Sequence, residues 1–206
     1  EQRRSGAIVV DLGGGTTDYI AYADDVVAAA GAFGIGGDHV TNDIALAFKI
    51  PTTQAERLKR ESGSAVLDPA GNSAGHVELP AEGGFQGRRV SLKSLHTVIH
   101  ARMDEVLVMI RKRLEKENVL HHIGAGVVLT GGGARLRGLA PLAEKVFDLP
   151  CSIGKPVNVS GLAVVTEGPE YATCCGLVQY GFEESEDGDG GSSVIGALKR
   201  LFKRRT

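Results

Sequence analysis

The stretch from Ile8 to Asp18 constrains the fold of this chain more than any other. An apolar, β-branched run ends in Asp11, and three glycines, two threonines and a second acid follow, in the order IVVDLGGGTTD. Short apolar runs bounded by turn residues are typical of buried strands. Glycines directly after a strand allow a sharp turn and leave backbone N–H groups open to an anion. The stretch predicts a strand that ends in a phosphate-binding loop, although its spacing fits a plain Gly-rich hairpin turn equally well.

In the phosphate-binding interpretation, each part of this stretch has a role. Backbone N–H groups and two hydroxyls would donate to phosphate oxygens, and they belong to Gly13, Gly14, Gly15, Thr16 and Thr17. Asp11, at the end of the strand, would hold a hydrated Mg²⁺ ion, which usually keeps several waters and takes one or two carboxylates. The stretch would then form half of a nucleotide-phosphate site.

A second loop repeats the same order of features later in the chain. The apolar run from Ala125 to Leu129 predicts another buried strand, and glycines and a helical pattern follow it. Two strand–glycine-loop units in one chain favour a shared nucleotide cleft over two unrelated tight turns, which remain the alternative. The candidate residues of this second loop are Gly131, Gly132, Gly133 and Arg135.

A third motif combines acid and base on one predicted helix. Glu56, Lys59 and Arg60 are spaced at i, i+3 and i+4, so they share a helix face. Together they could bind a ribose hydroxyl and a purine edge. Thr53 lies three residues before Glu56, however, and this is the spacing of a capping box. From spacing alone, a capping box with an ordinary surface Glu–Lys pair is the favoured interpretation.

Strand and helix patterns fill the rest of the chain. Two strands flanking Asp24 and Asp25 predict a hairpin, and a helix with Asp38 near its N-cap follows, with Ala47 on its apolar face. Residues 64–90 predict a small sheet with loops. A long helix is predicted from Ser94 to about Glu117, with the apolar positions Leu95, Ile99, Met103, Val106, Leu107, Ile110 and Leu114. Further predictions are a helix over 136–147, an extended piece over 157–159 and a final helix over 172–180.

Composition excludes several classes of protein. The apolar (42%) and charged (23%) fractions are those of an ordinary globular chain, and the net charge of −2 gives no general attraction to nucleic acid. Three cysteines, two of them adjacent, predict reduced thiols rather than a disulfide framework. No apolar run reaches the roughly 18 residues of a membrane span. The chain begins at Glu1, close to a core-type strand, so we expect it to be the C-terminal portion of a longer protein.

The last segment differs from everything before it. Residues 183–193 are acidic and rich in Gly and Ser, which predicts a flexible linker. Residues 194–206 predict a short amphipathic helix with apolar positions on an arc of roughly 120°. Its candidate membrane-binding residues are Val194, Ile195, Leu198, Leu201 and Phe202 on the apolar face, and Lys199, Arg200 and Lys203 on the basic face. A helix of this kind after a linker is typical of an interfacial membrane anchor, although docking onto its own domain or a basic coil would also fit.

Taken in order, these motifs resemble the actin-like ATPase superfamily, which includes actin, DnaK-type chaperones, MreB and sugar kinases. Within it the chain is most similar to the FtsA family of bacterial cell-division proteins, over nearly its whole length. Four stretches carry this resemblance: IGGDHVTNDIA at 35–45, VIHAR at 98–102, VVLTGGGA at 127–134, and YAT at 171–173 with Gly176 and Leu177. The resemblance implies an α/β fold, the actin-like (ribonuclease H-like) domain 2 with an inserted subdomain, plus a C-terminal amphipathic helix.

The resemblance also implies roles and partners. Residues 1–38 and 101–182 would form subdomain 2A, and residues 39–100 the inserted subdomain 2B, which docks the C-terminal tail of FtsZ. ATP with Mg²⁺ would be the ligand: Asp11 near the metal, Glu56 and Lys59 at the ribose and adenine, and the second glycine loop at the adenosine. Arg102 would lie near the partner-binding region, although a surface ion pair explains it as well. Other expected partners are further copies in filaments, other division proteins and an anionic membrane surface, with no nucleic acid.

Such a protein would act at the cytoplasmic face of the membrane, at the division site, as a scaffold that binds ATP with at most weak ATPase activity. The family's first phosphate loop and its domains 1A and 1C have no counterpart here, so the chain would offer one wall of the cleft and bind nucleotide weakly or not at all. Two alternatives share the fold: an ATP-hydrolysing enzyme such as a chaperone ATPase or kinase, and a pilus-assembly scaffold.

Overall fold

A computed structural model describes residues 2–67, 75–81, 84–157 and 168–187, with side chains in the last segment as far as residue 182. Its strands are β1 (Ala7–Leu12), β2 (Thr17–Ala23), β3 (Val26–Phe33), β4 (His76–Leu79), β5 (Arg88–Ser91), β6 (Gly126–Thr130) and β7 (Cys151–Ile153). Its helices are α1 (Gly37–Phe48), α2 (Thr52–Ser62), α3 (Leu92–Lys116), α4 (Leu139–Phe147) and α5 (Ala172–Asp187). Short 3-10 turns cover Leu120–His122, Gly132–Arg135 and Pro169–Tyr171.

A mixed sheet organises the described part of the chain, in the order β3-β2-β1-β6-β7. The first three strands form an antiparallel meander that includes the predicted hairpin, whereas β6 and β7 run parallel to β1. Asp24 and Asp25 form the tight turn between β2 and β3 with φ of 50° and 69°, in the left-handed region that two-residue hairpin turns require. Because β1 and β6 are parallel neighbours, the two glycine loops follow adjacent strands at the same edge of the sheet.

One core joins the sheet to the helices. Ile8, Val10 and Leu12 alternate with the partly exposed Val9 and Asp11, and the first three belong to the core. The long helix α3 packs against α1 and α4 and buries all seven predicted apolar positions. A separate two-stranded sheet, β4 with β5, confirms the small sheet predicted within 64–90.

Several boundaries differ from the predictions. Gly36 is the N-cap of α1 and Asp38 lies in its first turn, near the N-cap as predicted, whereas Ala47 is exposed. Helix α3 begins at Leu92 because Ser91, rather than Ser94, caps it: the Ser91 hydroxyl accepts a hydrogen bond from the Ser94 N–H. Strand β7 has no counterpart in the predictions, since three residues are too few to show a periodic pattern.

The last described helix extends beyond the predicted start of the acidic linker at residue 183. Helix α5 continues to Asp187, so residues 183–187 are helical, consistent with the high helix propensity of glutamate and with the absence of glycine between residues 183 and 187. The rest of the linker, residues 188–193, the predicted amphipathic helix 194–206, and residues 158–159 of the predicted extended piece lie outside the described residues.

The subdomain boundaries stay predictions. The predicted insertion 39–100 comprises most of α1, α2, β4, β5 and the first part of α3, so both of its boundaries fall inside helices. Among the described helices, none combines the length and the apolar character needed to cross a membrane.

Candidate functional site

The structure brings the three predicted motifs to one cleft. This cleft has a volume of about 690 Å³ and lies between the β1–β2 loop, the start of α1, helix α2 and the 3-10 turn after β6. The apolar side chains of Val106 and Met103, on α3, also line this cleft. The predicted site residues among its lining are Gly13, Gly14, Thr17, Glu56, Lys59, Gly132, Gly133 and Arg135. Motifs separated by more than a hundred residues in the sequence therefore share one concave surface.

The β1–β2 loop is held in place by the first turn of α1. The N–H groups of Gly37 and Asp38 donate to the carbonyls of Gly13 and Gly14, at 2.9 and 2.8 Å. A Cβ at Gly36 would lie 2.4 Å from the Gly14 oxygen, so only glycine permits this approach and this explains the N-cap. The loop is thus a hairpin turn, and it also faces a cleft. The hairpin turn that the sequence offered is present, and phosphate binding by this loop stays a prediction.

Glycines at two positions fit a ligand cradle. A Cβ at Gly15 or at Gly132 would meet no protein atom within 4 Å, so both face open space and leave it free for a ligand. In contrast, Gly131 and Gly133 are needed for close packing on β1. A Cβ at Gly131 would lie 2.2 Å from Asp11 Oδ1, and one at Gly133 2.7 Å from Leu12 Cβ. The second loop therefore combines two packed glycines with one that is open to the cleft.

Glu56 and Lys59 form a hydrogen-bonded group with helix α1. Lys59 Nζ lies 2.6 Å from Glu56 Oε2 and donates to Thr41 Oγ1 and to the Gly37 carbonyl, each at 2.9 Å. Thr41 in turn donates to Glu56. All three ammonium protons of Lys59 have protein acceptors, so a ribose hydroxyl would share or replace one of these bonds.

The capping box predicted from Thr53 does not form. Pro51 is the N-cap of α2 and makes no side-chain capping bond, and the Glu56 carboxylate instead bonds Lys59 and the distant Thr41. Burial disfavours the charged carboxylate, but hydrogen bonds from Lys59 and Thr41 outweigh burial and lower the pKa of Glu56 below its usual value. The carboxylate is therefore charged at neutral pH and faces the cleft beside an ammonium group.

The two threonine hydroxyls of the first loop are not equally free to donate to a phosphate. Thr17 is fully buried and its hydroxyl donates to the Ile35 carbonyl at 2.7 Å, because strand alternation places it on the core side. Donation to phosphate would require breaking that bond. Thr16 is exposed, and its hydroxyl donates to Asp18 at 3.0 Å. Thr16 therefore remains the more accessible of the two predicted donors.

Asp11 lies outside the residues that line the cleft. Its carboxylate accepts a hydrogen bond from Thr173 in the first turn of α5, and Asp18 sits directly opposite it on β2. No local signal in the sequence could have found Thr173, which is 162 positions away. Throughout the described ranges, no group of three or more His, Cys, Asp or Glu residues could hold a metal ion. The assignment of Asp11 to Mg²⁺ stays a prediction.

Arg135 has a partner that the sequence did not reveal. Its guanidinium forms an ion pair with Glu170, which also lines the cleft and lies on the Pro169–Tyr171 turn. Arg102 lies elsewhere, on α3, where it binds both carboxylate oxygens of Asp43, at 2.6 and 3.0 Å, and also pairs with Glu105. The hydrogen bonds that Arg102 donates to the Asp43 carboxylate are the main cause that raises the pKa of Arg102. The ion pair proposed for Arg102 from sequence is therefore present, and its contact with a partner stays untested.

The cysteines make no disulfide. Cys151, Cys174 and Cys175 all have free thiols in the described structure. Burial, with a smaller contribution from Glu144, raises the pKa of the Cys151 thiol to about 11. A thiol of this kind is protonated at neutral pH and is a poor nucleophile.

A family model described as cell division protein FtsA matches residues 8–176 of the chain. This chain belongs to the FtsA family. Curated FtsA proteins agree: that of Pseudomonas aeruginosa is 36% identical over 189 residues, covering 91% of this chain and 45% of the relative. That of Escherichia coli K12 is 36% identical over 196 residues, covering 92% and 46%, and that of Borreliella burgdorferi is 34% identical over 186 residues, covering 90% and 45%. The chain thus spans less than half the length of these relatives.

Solved structures show the actin-like ATPase fold. MreB5 of Spiroplasma citri bound to AMPPNP has a TM-score of 0.67 at 18% identity, covering 91% of this chain and 60% of that one. A PilM–PilN type IV pilus biogenesis complex gives 0.61 at 22%, covering 87% and 47%, and a non-polymerising A278D mutant of MamK bound to AMPPNP gives 0.58 at 22%, covering 82% and 52%. The predicted actin-like α/β fold is confirmed, as is the resemblance to the FtsA family, whereas the predicted C-terminal amphipathic helix lies outside the described residues.

Proposed function

We propose that this chain supplies one wall of an ATP site in an FtsA-family division scaffold. The observation that carries the proposal is the convergence of two glycine loops and the Glu56–Lys59 helix face on one cleft of about 690 Å³. Adenine nucleotides bound in structures of the same fold, AMPPNP in MreB5 and in MamK, support this ligand class.

The residues present fit such a ligand. The exposed backbone of Gly14 lines the cleft and suits a phosphate chain, and Met103 and Val106 form an apolar wall that suits a base. Gly15 and Thr16 are exposed next to Gly14 but do not line the cleft. Glu56 and Lys59 would bind ribose hydroxyls from α2. Mg²⁺ bound with ATP would neutralise phosphate charge, with Asp11 as the candidate carboxylate. We assign ATP the role of a ligand that sets conformation and polymerisation, with at most slow hydrolysis.

Membership of the FtsA family supports the cellular part of the proposal. The whole protein would form filaments, bind the C-terminal tail of FtsZ through the 39–100 region, contact other division proteins, and tether FtsZ filaments to the cytoplasmic face of the membrane at the septum. Binding of the FtsZ C-terminal peptide in a pull-down would test this assignment. The pilus-assembly alternative rests on the PilM–PilN likeness at 22% identity, whereas the division scaffold rests on the FtsA family model over residues 8–176, and we therefore favour the division scaffold.

A substitution at a glycine that faces the cleft tests whether ATP binds there, because it should block the cleft without disturbing the fold. We expect Gly132→Leu in the full-length protein that contains this chain to weaken ATP binding at least about tenfold in calorimetry. Its Cβ meets no protein atom, so the side chain fills the cleft while the fold tolerates it. Gly176→Leu, at an equally open position on α5, is the matched control and should bind like wild type. Equal affinity of Gly132→Leu and wild type would exclude this cleft as the site.

The 206-residue chain by itself should bind ATP weakly or not at all. It spans less than half the length of its curated relatives, and one wall cannot enclose a nucleotide. Micromolar ATP binding to residues 1–206 in calorimetry would contradict this expectation.

A further inference from the structure

Glu170 has no role in the sequence-based assignment, yet its surroundings tie it to the second glycine loop. The turn that carries it, Pro169–Tyr171, is fixed to that loop by the Pro169 carbonyl. This carbonyl accepts from the Gly131 N–H at 3.1 Å and from the Thr130 hydroxyl at 3.0 Å. Glu170 is therefore held in a defined place beside the cleft, independently of its own side chain.

The Glu170 carboxylate adopts a pose that folding stability alone does not explain. Oε1 accepts from Arg135 Nη1, whereas Oε2 is buried and has no hydrogen-bond partner among the described residues. A buried, unpaired carboxylate oxygen costs stability. The main cause lowering the pKa of Glu170 is its own backbone N–H, and Arg135 adds to it, so the group is charged at neutral pH.

Gly168 makes room for this pose. A Cβ at Gly168 would lie 2.4 Å from Glu170 Oε2 and 2.7 Å from Oε1, so any side chain would displace the carboxylate. The backbone of Gly168, with φ of −74° and ψ of 155°, is extended and open to any residue. Glycine is thus needed at position 168 to leave space for the Glu170 carboxylate, and not because of its backbone conformation.

From these contacts we infer that Glu170 is a positioning residue that fixes the Arg135 guanidinium at the cleft for nucleotide binding. The inference rests on the proposed function only for the identity of the ligand. The Arg135 side chain is 65% exposed, and a long exposed side chain loses rotamer entropy when it engages a ligand. An ion pair with a carboxylate on a fixed turn already restricts the arginine side chain, so less rotamer entropy is lost when the ligand binds.

The first test needs no nucleotide. In the labelled 206-residue chain, the Arg135 Nε–Hε group should be ordered by heteronuclear NOE, and it should become mobile in Glu170→Gln and in Gly168→Ala. Gly168→Ala moves only the end of a flexible side chain, so the fold should persist. Gly176→Ala, with open space around its Cβ, is the control and should leave Arg135 ordered. An Arg135 group that is mobile in wild type, or still ordered in both variants, would overturn the inference.

The second test is a double-mutant cycle on ATP affinity in the full-length protein. Glu170→Gln should weaken binding about threefold to tenfold, and it should add nothing in an Arg135→Ala background. Glu117→Gln, which breaks the exposed Arg113–Glu117 pair away from the cleft, should leave the affinity unchanged. Multiplicative effects of the two substitutions would mean that Glu170 acts independently of Arg135. Absence of ATP binding by wild type would refute the proposed function, while the NMR result still decides the positioning role.

Discussion

Among single residues, Glu56 shows most clearly that a tertiary contact can form in place of the local contact that the sequence spacing predicts. Thr53 precedes it at capping-box spacing, but the carboxylate bonds Thr41, which lies 15 residues away on another helix. The Lys59 ammonium completes the group, and the Lys59 side chain is only 14% exposed. This arrangement joins α2 to the start of α1, and so to the loop that α1 holds.

The depressed pKa of Glu56 gives this group a predictable pH dependence. A carboxyl with a lower pKa in the folded state than in the unfolded state contributes stability above the unfolded pKa, near 4.5, and loses it as pH falls through the folded pKa. At pH 7, Glu56→Gln should lower the free energy of unfolding by at most about 1 kcal/mol, because solvent screens a partly exposed pair. Urea unfolding should show this difference shrinking below pH 4.5. A difference that stays constant between pH 7 and pH 3.5 would contradict the explanation, and Glu115→Gln, in a more exposed pair, is the control.

Among the elements, helix α3 is the part on which the core depends. Leu107 is fully buried near its middle, where α1 and α4 both pack against the helix. Leu107→Ala should lower the free energy of unfolding by about 2–5 kcal/mol through lost burial and a residual cavity. Lys112→Ala, at an exposed position of the same helix, should change it by less than about 0.5 kcal/mol. Urea titrations of the 206-residue chain measure both, and equal effects would refute the packing argument.

The sequence predicted those elements whose pattern is long or whose turn chemistry is strong. Seven apolar positions at helical spacing fixed the buried face of α3, and the Asp24–Asp25 pair predicted the β2–β3 hairpin. Strand β7 was missed because its extended conformation depends on pairing with β6. The same holds for the site. The loop glycines could be recognised from the neighbouring sequence, whereas the contacts of Glu170 with Arg135 and of Thr173 with Asp11 join residues 35 and 162 positions apart.

For the whole molecule, the proposed membrane tether rests on the predicted amphipathic segment 194–206. The five basic residues within 199–205 would each add about 1 kcal/mol near an anionic leaflet, and buried apolar side chains would add more. Ordering the segment costs roughly 1–2 kcal/mol per residue, which cancels much of this gain. One tail should bind reversibly, and several tails on a filament should bind firmly through effective concentration.

Phe202→Glu should therefore abolish flotation of the full-length protein with liposomes that contain anionic lipid. The substitution places a charge on the predicted apolar face, where burial in the interface would be costly. Gly196→Glu adds the same charge on the opposite face of the predicted helix, so it should retain flotation. Loss of flotation in both variants would indicate that net charge alone drives binding. Retention in Phe202→Glu would exclude an amphipathic anchor, because a helix that binds by its apolar face cannot keep its affinity with that face charged.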